Sequence, residues 1–168
     1  MRKTIWFDMD GTLYDLYKIP GWLGLLESRR WNDAFGQADY ARAHIDRIRE
    51  AIKALKATGW TVGIITWAPM GIQWWDEALG EVERVKCKWV DQNIPELADD
   101  DIPFACLPYG ESKAKFIIDM EEAGDVNYLV DDNKEVRRDW RDHTGGNGVF
   151  KTINASRSYH RELEGLAM

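Results

Sequence analysis

Short apolar runs typical of buried strands alternate along this chain with longer segments of helical periodicity. The predicted strands cover residues 3–8, 60–66, 102–107, 126–130 and 148–153. Between them, apolar residues recur every three or four positions, which is the spacing of one face of an α-helix. Strands that alternate with helices form parallel sheets covered on both faces. The sequence therefore predicts an α/β fold of three layers, with a doubly wound, mostly parallel sheet between two layers of helices.

The helical segments are predicted from their apolar stripes. The clearest covers 38–58, and its stripe consists of Ala41, Ile45, Ile48, Ile52 and Leu55. A second lies within 70–90, with a stripe of Ile72, Trp75, Leu79, Val82, Val85 and Trp89. Two shorter helices are predicted over 111–123 and 134–142.

Size and composition limit the class of protein. A chain of 168 residues suits one well-cored domain, so we expect a single domain over 1–168. No apolar run approaches the ~20 residues of a membrane span, and the first strand begins too early for a signal peptide, which favours a cytoplasmic protein without a membrane partner. The net charge of −7 makes a nucleic acid polymer an improbable partner.

Two carboxylates, Asp8 and Asp10, stand where the first predicted strand ends, and Gly11 follows them. Ligands of open α/β sheets gather at the carboxyl ends of the strands. Carboxylates this close repel each other unless they share a cation or a proton, and Mg²⁺ prefers such oxygen ligands. An alternative interpretation is a simple turn at Asp10-Gly11, with Asp8 capping a helix.

Other polar residues follow the later strands. Thr66 ends the second strand, Lys113 opens the helix after the third, and Asp131 with Asp132 follows the fourth. The intervals between them are long enough for crossovers that return each group to the same edge of the sheet. We therefore expect these side chains to meet, although each of them alone is typical of a helix cap, a strand end or a solvated surface.

The order of these motifs resembles that of the haloacid dehalogenase superfamily, whose phosphatases carry D-x-D-G-T after the first strand, threonine or serine after the second, a helix lysine and a terminal acidic pair. Here the motifs are Asp8-Met9-Asp10-Gly11-Thr12-Leu13, Ile64-Ile65-Thr66, Gly110-Glu111-Ser112-Lys113 and Leu129-Val130-Asp131-Asp132. Receiver domains of two-component signalling carry similar residues in another order. The resemblance implies a Rossmann-like fold and a phosphatase that acts through an aspartyl-phosphate.

The resemblance also implies roles for the first-strand carboxylates and for the residues that bind the phosphoryl group. Asp8 would be the nucleophile, and Asp10 would protonate the leaving group and then activate water. Thr66 and Lys113 would bind the phosphoryl oxygens and take part in catalysis. Lys115 is an alternative to Lys113. We prefer Lys113 because Phe116, Ile117 and Met120 define the buried stripe of this helix, whose first turn points toward the carboxyl end of the strand.

The metal ligands implied by the resemblance are Asp8, the backbone carbonyl of Asp10, and Asp131, which together would hold Mg²⁺. Asp132 is an alternative or additional ligand. Trp67 follows Thr66 directly and places an aromatic ring in the expected substrate-binding region.

The predicted substrate is a small phosphorylated metabolite, and a nucleotide is the finer interpretation, as in a 5′-nucleotidase. Residues 14–36 form a possible small cap or flap, with aromatic side chains that could stack on a base. Two alternatives remain at this point: a phosphatase acting on nucleic acid ends or phosphoproteins, and a phosphate-binding protein without turnover.

Overall fold

A five-stranded parallel sheet forms the centre of the computed structural model, which describes residues 1–98, 103–143 and 148–168. The strands are β1 (Lys3–Phe7), β2 (Trp60–Trp67), β3 (Phe104–Leu107), β4 (Val126–Asp131) and β5 (Val149–Asn154). Their spatial order is β3-β2-β1-β4-β5, and each neighbouring pair is parallel. The predicted α/β fold with a doubly wound parallel sheet is confirmed. The predicted first residue of the third strand, Ile102, lies outside the described residues.

Helices cover both faces of this sheet. They are α1 (Trp22–Glu27), α2 (Trp31–Phe35), α3 (Ile45–Ala57), α4 (Glu77–Asn93), α5 (Lys113–Asp119), α6 (Lys134–Asp142) and α7 (His160–Ala167). The larger apolar cluster contains side chains of α2, α3, α4 and α7, and the smaller one contains side chains of α5 and α6. These two clusters are the interfaces of a three-layer molecule.

The alternation of β1 decides which layer its terminal carboxylate faces. Ile5 and Phe7 belong to the larger cluster, whereas Trp6 belongs to the smaller one. Successive strand residues point to opposite faces, so Asp8, directly after the strand, lies on the face of Trp6. That face carries α5 and α6, which supply the basic and polar partners described below.

The chain reverses its direction of winding between β1 and β4. From β1 it proceeds through β2 to β3 on one side, and it then crosses to β4 and β5 on the other. Crevices at such reversals, outside the carboxyl ends of the strands, are the usual ligand sites of open α/β sheets. Asp8 follows β1 and Asp131 ends β4, so both carboxylates border this crevice.

Two predicted helices begin later than their stripes indicated. The helix predicted over 38–58 begins only at Ile45, because Ala41 is extended and His44 has a left-handed backbone with φ of 64°. The stripe predicted from Ile72 onward is also wrong at its start, since α4 begins after Asp76, whose carboxylate accepts the N–H of Ala78 at 2.9 Å. The helix predicted over 111–123 corresponds to α5, which is shorter and ends at Asp119, and the helix predicted over 134–142 is α6.

The segment 14–36 folds into a single turn of 3-10 helix followed by α1 and α2. Trp31 and Phe35 of α2 are buried against the main apolar cluster, whereas α1 is more exposed. The C-terminal helix α7, for which the sequence analysis made no prediction, packs on α3. In the described part of the chain, no helix has both the length and the apolar character that a membrane crossing requires.

Candidate functional site

A buried lysine joins the carboxylates that follow β1 and end β4. Lys113 is the first residue of α5, and its Nζ lies 2.7 Å from Asp8 Oδ1 and 2.8 Å from Asp131 Oδ2. All three side chains are buried. The alternative lysine, Lys115, is exposed and pairs with Asp119 on its own helix. The side chain that reaches the predicted site is therefore that of Lys113.

Backbone contacts fix the two carboxylates relative to each other. The N–H of Asp8 donates to the carbonyl of Val130 at 2.9 Å, which continues the parallel pairing beyond the end of β1. On the other strand, Asp131 Oδ1 accepts the N–H of Asn133 at 2.8 Å, and Arg137 donates to the Asp131 carbonyl at 2.7 Å. Both carboxylates are thus held by the sheet and by the first turn of α6.

Asp132 completes an acidic cluster with Asp8 and Asp131. One carboxylate oxygen of each residue lies within 4.8 Å of those of the other two. With Lys113 as the neighbouring cation, three carboxylates and one ammonium group have a formal charge of −2. The cluster therefore needs a proton or a further cation.

The pKa values of these groups also indicate that the cluster needs a proton or a further cation. Burial, with help from Asp131 and Asp10, raises the pKa of Asp8 to about 8 although Lys113 opposes the change. Burial and the charge of Asp131 raise the pKa of Asp132 to about 6. Burial alone would lower the pKa of Lys113, but Asp131 and Asp8 together hold it above its usual range. Without an added cation, the cluster retains a proton near neutral pH.

Gly11 makes room for Asp132. Its φ of +81° lies in the left-handed region, and a Cβ at this position would overlap the Asp132 carboxylate. Three backbone N–H groups, those of Thr12, Leu13 and Tyr14, converge on the carbonyl of Met9 and close a tight turn here. The glycine that follows the acidic pair is thus required by the conformation of the turn and by its neighbour.

Asp10 is held by a lysine that the sequence analysis did not identify. Lys86 of α4 is completely buried, and its Nζ lies 2.6 Å from Asp10 Oδ2. The other oxygen of Asp10, Oδ1, is buried and has no hydrogen-bond partner among the described residues. A signal was present in the sequence, because Lys86 lies four residues after Val82 on the predicted apolar stripe of this helix.

Thr66 reaches the site indirectly. Its hydroxyl is buried and accepts a hydrogen bond from Lys86 at 3.0 Å, so Thr66 and Asp10 share one ammonium group. Thr66 lies outside the set of residues that line the cavity over the acidic cluster, whereas its neighbour Trp67 lines it. The indole N–H of Trp67 donates to the Glu111 carbonyl at 2.9 Å, and its ring lies 4.9 Å from that of Tyr109.

The cavity of about 570 Å³ opens over the acidic cluster and has a largely aromatic and aliphatic wall. Its wall comes from the 14–36 segment, from the residues after β2 and from Tyr109. The main apolar contributors are Leu16, Tyr17, Trp22, Leu23, Leu26, Phe35, Trp67, Met70 and Tyr109. Among the described residues that line it, Lys113 is the one basic side chain, and Glu27 adds a further carboxylate to the wall.

No protein-family model and no curated protein matches the sequence.

Proposed function

We propose that this protein is a Mg²⁺-dependent phosphomonoester hydrolase of the haloacid dehalogenase superfamily that acts through an aspartyl-phosphate on Asp8. The observation that carries the proposal is the buried ion-pair bridge of Lys113 between Asp8 and Asp131, next to Asp132 and beneath a substrate-sized cavity. A lysine buried between two carboxylates is costly to desolvate, which favours a catalytic reason for the arrangement.

The donor set suits Mg²⁺. Carboxylate oxygens of Asp8, Asp131 and Asp132 lie close enough to share one ion, and their formal charge with Lys113 calls for two further positive charges. Mg²⁺ is commonly held by one or two carboxylates together with water and substrate phosphate. The ion would neutralise charge on the phosphoryl oxygens. Asp131 and Asp132 both remain candidates for the second carboxylate ligand, and the Asp10 carbonyl for a further one.

In the proposed reaction, an Asp8 oxygen attacks phosphorus while the bond from phosphorus to the leaving oxygen breaks. Lys113 supplies positive charge beside the attacked group. Asp10 gives a proton to the leaving oxygen, and it then takes a proton from the water that attacks the aspartyl-phosphate, which releases inorganic phosphate and restores Asp8. Thr66, which is buried outside the cavity lining and accepts from Lys86, would act through that lysine and would not bind the phosphoryl group itself.

The cavity favours a substrate that has one phosphate and whose leaving group carries an aromatic ring. Its rings, among them Trp22, Trp67 and Tyr109, suit stacking on a flat base, as expected for a 5′-nucleotidase. A second phosphate group would meet Glu27 and the acidic cluster without a further basic partner among the described lining residues. The same shortage of basic side chains disfavours nucleic acid ends as substrates. A cytoplasmic setting, in which Cys87 and Cys106 stay reduced, is part of the proposal.

The proposal is tested by measuring phosphate release from a panel of mononucleotides, sugar phosphates and 5′-phosphorylated oligonucleotides, with Mg²⁺ or with a chelator. We expect release from nucleoside monophosphates in Mg²⁺, with the chelator abolishing it. Asp8→Asn removes the nucleophile and should lower kcat by at least about 10³-fold, whereas Asp119→Asn, at an exposed carboxylate, should have no effect.

The intermediate has its own readout. Borohydride reduction of the enzyme during turnover should convert the phosphorylated residue 8 to homoserine, which peptide mass spectrometry identifies. Equal phosphate release by wild type and Asp8→Asn would exclude Asp8 as the nucleophile. Absence of release from the whole panel by the wild type would overturn the proposed activity and favour a phosphate-binding protein.

A further inference from the structure

We infer that Lys86 is a positioning residue that holds the Asp10 carboxyl group in the orientation needed for proton transfer. The inference rests on the proposed function and concerns a side chain on the helix that follows β2. It assigns Lys86 no contact with substrate, because the lysine lies behind Asp10 and outside the set of cavity-lining residues.

All three hydrogen-bond donors of the Lys86 ammonium group have acceptors. An ammonium group has three donors, and those of Lys86 meet Asp10 Oδ2 at 2.6 Å, Thr66 Oγ1 at 3.0 Å and the Trp67 carbonyl at 2.9 Å. Two of these acceptors belong to the end of β2, which is a central strand of the sheet. The ammonium group is therefore anchored to the sheet, and it ties the turn after β1 to β2 through Asp10.

The two oxygens of Asp10 have different surroundings as a result. Oδ2 is engaged by Lys86, whereas Oδ1 is buried without a partner among the described residues. A buried carboxylate oxygen without a hydrogen bond is unfavourable and is rare in structures. Asp10 itself lines the cavity, so Lys86 holds one oxygen of a carboxyl group that borders the expected position of the leaving group, and the other oxygen lacks a competing protein partner.

Burial of the Lys86 ammonium group carries a desolvation penalty, which a positioning role would explain. It lies on the apolar face of α4 between Val85 and Trp89, and its Nζ lies 4.5 Å from the centre of the Phe35 ring. An apolar residue of similar volume would pack there without a desolvation penalty. The ring contact offsets part of that penalty through a cation–π interaction. Phe35 belongs to α2, so the 14–36 segment takes part in holding the lysine.

The test compares two phosphomonoesters of similar shape, 4-nitrophenyl phosphate and benzyl phosphate. Nitrophenolate leaves without a proton, whereas the benzyl alkoxide needs one from Asp10. We expect Lys86→Met to lower kcat/KM for benzyl phosphate by about 10–100-fold, within the range of general acid catalysis. The value of kcat/KM for 4-nitrophenyl phosphate should change by less than about threefold, because kcat/KM includes only the steps up to the transfer of the phosphoryl group to Asp8.

The second half-reaction gives an independent readout. Asp10 also activates the water that hydrolyses the aspartyl-phosphate, so kcat for 4-nitrophenyl phosphate should fall in Lys86→Met. Nitrophenolate should then appear in a burst close to the enzyme concentration. In an Asp10→Asn background, Lys86→Met should lower kcat little further, because the lysine acts through the missing carboxylate. Lys88→Met, on the exposed face of the same helix, is the matched control and should resemble wild type.

Lys86→Gln keeps N–H donors at this position and is the variant to read in the same way if circular dichroism shows that Lys86→Met does not fold. An equal loss of kcat/KM for both esters would overturn the inference and assign Lys86 a general structural role. Wild-type turnover of either ester distinguishes that outcome from failure of the proposed function. If the wild type hydrolyses neither ester nor any member of the nucleotide panel, the proposed function falls and the inference falls with it.

Discussion

At the scale of single residues, the conformation of Gly11 and the position of Asp132 depend on one missing methyl group. Gly11→Ala places a Cβ against Asp132 Oδ2 at a φ of +81°. We expect the free energy of unfolding to fall by about 1–2 kcal/mol from the left-handed backbone. Because the Asp132 side chain must also move, Mg²⁺ affinity measured by calorimetry should fall by about 10–100-fold, as it does when other supports of a metal site are lost.

Gly59 provides the matched control for this substitution. Its φ of +85° imposes the same backbone strain, but a Cβ there would meet nothing within 4 Å. Gly59→Ala should therefore lose a similar amount of stability and keep its Mg²⁺ affinity. If Gly11→Ala binds Mg²⁺ as tightly as Gly59→Ala does, Asp132 has no part in the proposed Mg²⁺ site.

At the scale of elements, the cap of α5 supports the lysine that the helix presents. Ser112 Oγ accepts the N–H of Lys115 at 3.2 Å and donates to Asp139 on α6 at 2.7 Å. Ser112→Ala should cost about 1 kcal/mol, the usual value of an N-cap. Because Lys113 is the next residue, phosphate release should also fall several-fold. Asp76→Ala, at the cap of α4, should cost similar stability in thermal melts and leave turnover unchanged.

Strands were easier to predict from the sequence than the ends of helices. Strands buried on both faces of a parallel sheet read as continuous apolar runs, and all five predicted strands are present in the described residues. The predicted start of α3 was wrong. Ala41 fits the apolar stripe, but the left-handed backbone of His44 separates it from the helix. Periodicity records which face is buried and contains no information on a local reversal of φ.

The candidate site was predictable in part for a related reason. The motifs follow successive predicted strands, whose carboxyl ends share one edge of the sheet. This indicated that Asp8, Lys113 and Asp131 would meet, and the structure brings these side chains together. Lys86 was missed because its partners lie in other elements, and a stripe shows only that the lysine is on the buried face. Likewise, the sequence did not show that Thr66 would contact this lysine at 3.0 Å.

At the scale of the whole molecule, the reversal of winding between β1 and β4 concentrates negative charge in one crevice, and stability should depend on what neutralises it. The pKa of Asp8 is raised to about 8 and that of Asp132 to about 6, mainly by burial. The folded state thus holds protons that the unfolded state has released, so the free energy of unfolding must fall as pH rises.

In a chelator, the melting temperature should therefore decrease between about pH 5 and about pH 8, and a loss of 1 kcal/mol would lower it by about 2–4 °C in a chain of this size. Mg²⁺ should reverse the trend, with a larger stabilisation at the higher pH, because the ion displaces the retained protons. Asp132→Asn removes one of the titrating groups and should flatten the chelator profile and reduce the response to Mg²⁺. A melting temperature in chelator that stays constant or rises across this range would mean that the crevice does not hold the excess negative charge on which the proposed magnesium site depends.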